Sequence, residues 1–430
     1  MNKEKLREHL AKCCPIIFFS TLTGVFSGIV VILYSFVAEF LSHSSKELYQ
    51  KVAESPAFIP LLFLALVILA FVSYVIIRFL PEAKGTGFTA DEAKEKALSP
   101  ISWWRTMIGT ILGSFVSFFG GLSFGVEGPA TAIGFSLGKG ISKLYKSKKA
   151  KDSQVNETKE LTAVSGFSAA ITAAFSAPIT GVIFTLEELD KKFSPYVFLA
   201  TSCSVIASFA TSIGLRTLLG MEARLLSLTI SPLPFSHYWT LLLLGLACGI
   251  CAIAFSKVIR NINEISILKR IPLVIKLIVA YLLTGVAGLF LVDAIGSGTS
   301  LVKDLVAIDF KWWILILLLI VKSILTFIAK GSESIGGLLL PTMTIGALIG
   351  ALMGKVFIQF GVPGEYYVVF IIVGISAFLG ATLHTPITAV ILVIEITASA
   401  SNSFAIALTV LISFILSELF NNQSKPEELL

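Results

Sequence analysis

Charge is what this chain has least of: Asp, Glu, Lys and Arg make up 14% of its 430 residues, against 55% hydrophobic. A water-soluble protein of that length could not bury so much apolar surface, which excludes a soluble globular protein and leaves a polytopic membrane protein. Cysteine is sparse too, limited to Cys13, Cys14, Cys203, Cys248 and Cys251. Cys248-Gly249-Ile250-Cys251 has C-x-x-C spacing, yet it lies in an apolar run with no second pair or histidine beside it. No disulfide framework and no metal is therefore expected. Of the four histidines only His384 sits deep in an apolar run, and no His-Glu-x-x-His pattern occurs. An intramembrane protease would need a Ser/His or paired-Asp constellation, so an enzyme is not expected. The chain stops about ten residues after its last apolar run, so no cytosolic regulatory domain is expected.

Apolar runs fill the rest, over 16–41, 57–80, 103–120, 161–189, 194–219, 238–258, 271–292, 312–329, 338–360, 367–397 and 403–420. Several are too long for one span, and others are interrupted by Gly or Pro. Such interruptions predict broken, half-membrane helices, which persist only where the freed backbone lines an enclosed cavity. The expected class is therefore an all-α polytopic membrane protein. The net charge of +6 is unevenly placed. Lys3, Lys5, Arg7 and Lys12 precede the first run, Lys139 to Lys159 form one basic cluster, and Lys257 to Arg270 form another. Short basic loops stay cytoplasmic, so the N-terminus and both clusters are expected to face the cytosol. The cluster at 143–151 has a single aromatic, Tyr145, and suits topology rather than nucleic acid.

The two halves repeat each other. Gly85-Thr86-Gly87-Phe88-Thr89 matches Gly296-Ser297-Gly298-Thr299-Ser300 at an offset of 211. Pro129-Ala130-Thr131-Ala132-Ile133-Gly134 matches Pro341-Thr342-Met343-Thr344-Ile345-Gly346 at 212, and Ala177-Pro178-Ile179-Thr180 matches Thr385-Pro386-Ile387-Thr388 at 208. Three matches in one order at a nearly constant offset indicate an internal duplication, and Gly/Pro-interrupted segments at matching positions point to a transport site. This divides the chain into an N-terminal segment (1–14), a first membrane repeat (15–219), a second (220–420) and a short tail (421–430).

Glu127 is a lone carboxylate in the uncharged stretch Gly120–Ala130. At membrane depth a carboxylate costs a few kcal/mol and marks an ion or proton path. Pro129 suits the first turn of a helix, whose N–H groups and dipole favour an anion. The carboxylate thus occupies that place when charged and leaves it when protonated, which couples an anion to a proton. Gly125, Gly128, Gly336 and Gly337 bare backbone N–H groups to an approaching ion, while Gly134, Gly138, Gly346 and Gly350 fit close helix packing. Opposite Glu127 the second half has Leu339, so one half alone carries the carboxylate. Glu187 and Glu188 end the apolar run at 179–186 on the expected cytoplasmic side, either as helix-end charges or as the inner end of a proton route. Glu395 matches Glu187 in position and is read as structural.

These segments resemble the CLC family of chloride channels and anion/proton antiporters, in order and over nearly the whole chain. Gly85-Thr86-Gly87-Phe88-Thr89 is similar to the family's Gly-Ser-Gly-Ile-Pro, and Gly125-Val126-Glu127-Gly128-Pro129 to Gly-Arg/Lys-Glu-Gly-Pro. Gly337-Leu338-Leu339-Leu340-Pro341 is similar to Gly-x-Phe-x-Pro, and Ala177-Pro178 to Glu188 resembles the segment ending at the internal proton glutamate. The resemblance implies an inverted-repeat fold with re-entrant helices, and the Lys and Glu in the loops suggest a prokaryotic plasma membrane. It further implies a homodimer with one pathway per subunit, no cofactor, and a transported halide exchanged for protons. Glu127 would be the external gating glutamate and Glu188 the internal one. The anion would be held by Gly85, Thr86, Gly87, Phe88, Gly125, Val126, Gly128, Gly337, Leu338 and Leu339. A passive chloride channel of the same fold is the alternative. Three positions depart from the family: Thr86 replaces a serine, Val126 replaces a basic residue, and no tyrosine follows Lys425-Pro426. Val126 together with Glu333 resembles the fluoride-exporting bacterial branch, so chloride is the default anion and fluoride export the second subtype.

Overall fold

The protein is described by a computed structural model covering residues 3–85, 99–145, 152–190, 194–222, 230–264 and 269–422. The first half forms α1 (Lys3–Glu54), α2 (Ile59–Phe79), α3 (Trp103–Phe119), α4 (Glu127–Ser142), α5 (Asp152–Phe175), α6 (Pro178–Phe184) and α7 (Pro195–Leu219). The second forms α8 (Trp239–Asn261), α9 (Leu273–Phe290), α10 (Thr299–Ala307), α11 (Trp312–Gly331), α12 (Leu339–Gln359), α13 (Tyr367–Leu383), α14 (Pro386–Thr397) and α15 (Ser403–Asn422). Among the described residues, nine helices are long and apolar enough to cross a membrane. Others are too short for that: α4 has 16 residues and α14 has 12, at a rise of about 1.5 Å each against a hydrocarbon core of about 30 Å.

The helices break where the sequence supplies a reason. Pro178 and Pro386 open α6 and α14, where a missing N–H costs nothing. Just before them the chain turns through left-handed backbone at Ser176 (φ 54°) and His384 (φ 57°), non-glycine residues 208 apart. The apolar runs 161–189 and 367–397 are therefore each two helices. At the other break, Gly121 (φ 77°) has its counterpart in Glu333 (φ 61°), 212 residues on.

Contacts divide the chain into two units that cross its sequence halves. One comprises Met1–Phe40, Val75–Phe115 and Val126–Arg224, the other Leu41–Tyr74, Val116–Gly125 and Leu225–Leu430. In the first unit α4 lies so close to α5 that a Cβ on Gly134 would stand 2.3 Å from the Gly166 carbonyl oxygen, and one on Gly166 would stand 2.1 Å from that of Gly134. Ser204 and Ser208 of α7 donate to the carbonyls of Ser165 and Ala169, each at 2.7 Å. The second unit repeats this chemistry. Gly346 of α12 and Gly374 of α13 leave each other's carbonyl the same room, and Ser413 and Ser417 of α15 donate to Ala377 and Ala381 at 2.8 and 3.0 Å. Small residues allow backbones to approach, and serine hydroxyls bond across the gap, which is how helices associate where water gives no hydrophobic drive.

Several basic residues that the charge pattern places in loops lie in helices: Lys139 in α4, Lys159 in α5, and Lys257 and Arg260 in α8. Lys139 belongs to the last turn of α4 rather than to a loop, and it is buried, with Nζ donating to Ser99 O at 3.0 Å and Ser99 Oγ at 3.1 Å. Its ammonium sits at a helix C-terminus, where a cation is favoured.

Candidate anion and proton site

In the first unit Glu127 is the first residue of α4, is 5% exposed, and has its Oε2 atom sealed from solvent. A negative side chain in a first turn is stabilised by the N–H groups there. Pro129 fits because Ala130 is the first residue whose N–H bonds back, to Val126 O at 2.9 Å. Val126 is half-buried and Gly128 is buried. Tyr34 of α1 lies within electrostatic reach of Glu127. Its ring stacks on Phe115 with centroids 5.3 Å apart, and its hydroxyl donates to Ser114 Oγ at 3.0 Å.

Glu188 belongs to the same unit. After α6 the chain widens into a π-helical turn over Thr185–Asp190, and Glu187 and Glu188 both lie in it, half-buried. Thr185 holds this turn by sharing a 2.5 Å hydrogen bond with Ser168 of α5 and donating to Gly181 O at 3.0 Å. A π-turn is a costly irregularity that recurs at functional sites. Since α5 packs on both α4 and α6, it is the element common to the helix that begins with Glu127 and the helix that leads into the π-turn of Glu188.

In the second unit Gly125 and Gly337 pair as an isolated antiparallel bridge, with N–H to O distances of 2.8 and 2.9 Å. Both are buried, while Leu338 and Leu339, at the start of α12, are half-buried. The end of α3 and the loop from it to Gly125 are held at several points. Tyr49 donates to Gly120 O at 3.1 Å, Ser117 Oγ meets Ser334 Oγ at 2.9 Å, and Ser123 Oγ meets Thr326 Oγ1 at 2.9 Å. A lysine that the sequence reading passed over completes this belt: Lys322, in the middle of α11, is fully buried. Its ammonium donates to Ala294 O at 3.2 Å and Gly296 O at 2.5 Å. A charge in the apolar run at 312–329 was the available signal for it.

Of the remaining expected residues, Gly85 has φ 103°, a conformation open to glycine, whereas Thr86, Gly87 and Phe88 lie outside the described residues. Two Gly-x-Ser-x-Gly pentads do occur, Gly121–Gly125 and Gly134–Gly138, but neither forms a strand-to-helix nucleophile elbow. Ser123 is engaged with Thr326, and Ser136 lies inside α4. Among the described residues no cluster of His, Cys, Asp and Glu could hold a metal ion.

Helices broken at buried glycine turns, one of them opening on an intramembrane carboxylate, define a polytopic membrane protein of the ion-transporting kind. The family model for the voltage gated chloride channel matches residues 68–418, and the chain belongs to that family, the CLC family, whose members are transporters and not enzymes. It is 28% identical over 393 residues to the H(+)/Cl(-) exchange transporter ClcA of Vibrio vulnificus, covering 89% of this chain and 82% of that one. Against the protein of the same description from Vibrio cholerae, identity is 27% over 446 residues, with 100% and 92% covered. Among solved structures it superposes on a slow cyanobacterial Cl-/H+ antiporter with a TM-score of 0.84 at 22% identity, covering 94% and 95% of the two chains. On a CLC-type fluoride/proton antiporter the TM-score is 0.73 at 17% identity, covering 98% of each. The fold is the CLC-type inverted repeat with broken helices.

Proposed function

We propose that this protein exchanges chloride for protons across a bacterial plasma membrane, with its N-terminus in the cytoplasm, as a homodimer with one pathway per subunit. The observation that carries the reading is Glu127: a buried carboxylate on the first turn of α4, where the helix favours an anion. Charged, it competes with the anion; protonated, it withdraws and takes a proton with it. Glu188 supplies the inner proton station from its π-turn, and the backbone of Gly85 to Phe88, Gly125, Val126, Gly128 and Gly337 to Leu339 contacts the anion. No cofactor is required, because positioned N–H groups and one titrating carboxyl suffice for the exchange. The names of the Vibrio relatives support chloride as the anion.

Purified protein in liposomes loaded with chloride or fluoride tests this, with anion efflux and internal pH recorded together. A proton gradient that drives chloride uphill supports the reading. Fluoride driven better than chloride replaces the substrate but keeps the mechanism, and downhill flux with no linked proton movement replaces exchange by a channel.

A further inference from the structure

Lys322 is an expensive residue to keep. Its ammonium is wholly removed from water in a membrane-spanning helix, and such groups persist where they are hydrogen-bonded and have a task. It donates to two backbone carbonyls, Ala294 O and Gly296 O. These belong to the turn that links α9 to α10, and Gly296 within it has left-handed backbone, φ 68°. The same Gly296 gives its own N–H to Gly121 O at 2.9 Å. Gly121 is the left-handed residue at which α3 ends and the loop toward Glu127 begins.

One helical turn further along α11, Thr326 carries the second fastening. Its hydroxyl donates to Lys322 O at 2.8 Å and meets Ser123 Oγ at 2.9 Å. The third is the Gly125–Gly337 bridge. The loop is thus gripped at residues 121, 123 and 125, two of the three grips run from one side of α11, and Glu127 follows the last by two residues. At the equivalent point of the first half, 212 residues earlier, stands Thr110, so the device exists in one repeat only. That repeat is not the one with the carboxylate.

We propose that Lys322 is the positioning residue of the gate: by clamping the 294–296 turn it fixes Gly121, and through the loop it fixes where the Glu127 carboxyl swings. The inference rests on Glu127 being the gate. Lys322 touches neither anion nor proton; it sets how reproducibly one protonation event meets one anion event.

The test uses Lys322→Met and Lys322→Arg, each alone and combined with Glu127→Gln, in liposomes with chloride efflux and proton flux recorded together. Lys322→Met should lower protons moved per anion about threefold or more while downhill chloride efflux continues, within the range that indirect coupling residues produce. Lys322→Arg, which keeps a donor cation, should restore most of the ratio. In the Glu127→Gln background Lys322→Met should change efflux no further, because the two act as one unit. An unchanged ratio in Lys322→Met overturns the proposal, and so does an equal loss in Lys322→Arg or an additive loss in the double variant. Should Lys322→Met not assemble, Thr326→Val, which frees Ser123, takes its place, with a lowered ratio expected and an unchanged one fatal. If the parent protein moves no linked protons, the exchange reading fails separately. Efflux that is dependent on Glu127 then becomes the readout for the Lys322 variants, with the same expected and overturning results.

Discussion

Gly125 and Gly337 stand 212 residues apart in sequence and exchange both backbone hydrogen bonds, at 2.8 and 2.9 Å. The offset is the one that relates Pro129 to Pro341, so the bridge joins each repeat to its own counterpart. Each glycine lies two residues before the helix that follows it, Gly125 before α4 and Gly337 before α12. The bridge therefore lies just ahead of both helix starts along the chain, although only α4 begins with a carboxylate.

That asymmetry makes Glu127→Gln the first variant to test. The amide imitates the protonated acid permanently, so proton movement linked to chloride should fall to background while passive chloride flux remains. Paired chloride and pH electrode traces on liposomes check this, and linked proton flux at the parent rate would remove Glu127 from the mechanism.

Glu188→Gln should separate the two ions in a different manner. With the π-turn intact but its carboxyl neutralised, anion flux is expected to persist and proton delivery to fail. Coupling identical to that of the parent protein would make Glu188 an ordinary helix-end charge.

Gly336 has no room for a side chain: a Cβ there would stand 2.2 Å from Cγ of Phe124 and 2.4 Å from its Cβ. Gly336→Ala should cost about 1–3 kcal/mol by overpacking. Adding Phe124→Ala should recover part of it. Thermal unfolding of the detergent-solubilised protein measures both, and a Gly336→Ala protein as stable as its parent would contradict the packing.

Lys276 and Glu333 form a 2.6 Å ion pair at 9% and 19% side-chain exposure. Lys276→Met leaves a largely enclosed carboxylate without its cation and should destabilise by about 1–3 kcal/mol. Removing both charges, with Lys276→Met and Glu333→Gln together, should cost less than the single change. Denaturation of the four proteins as a double-mutant cycle gives the coupling directly.

Much of this was legible in the chain. Scarce charge announced the membrane, Pro178 and Pro386 marked the helix breaks, and a glutamate among glycines marked the buried carboxylate that opens α4, because each is a local conflict between a residue and an apolar setting. Lys322 was visible as the same kind of conflict, but its meaning was not, since it bonds to carbonyls 26 and 28 residues away whose sequence carries no polar signal. Lys139 was misplaced because a basic residue after an apolar run reads as a loop charge until the helix is seen to continue to Ser142.

The sequence by itself determined the membrane class, the duplication and the single carboxylate, because periodicity, composition and repeat offsets are properties of order along the chain. Only the tertiary structure decided that Gly125 meets Gly337, that Glu188 lies in a π-turn, and that Lys322 clamps the turn at Gly296. The first two facts are backbone hydrogen bonds and the third is an ammonium bonded to backbone carbonyls, and every residue's N–H and C=O are chemically alike. Which of them pair is settled by where the packed helices bring the chain, and no side chain records it.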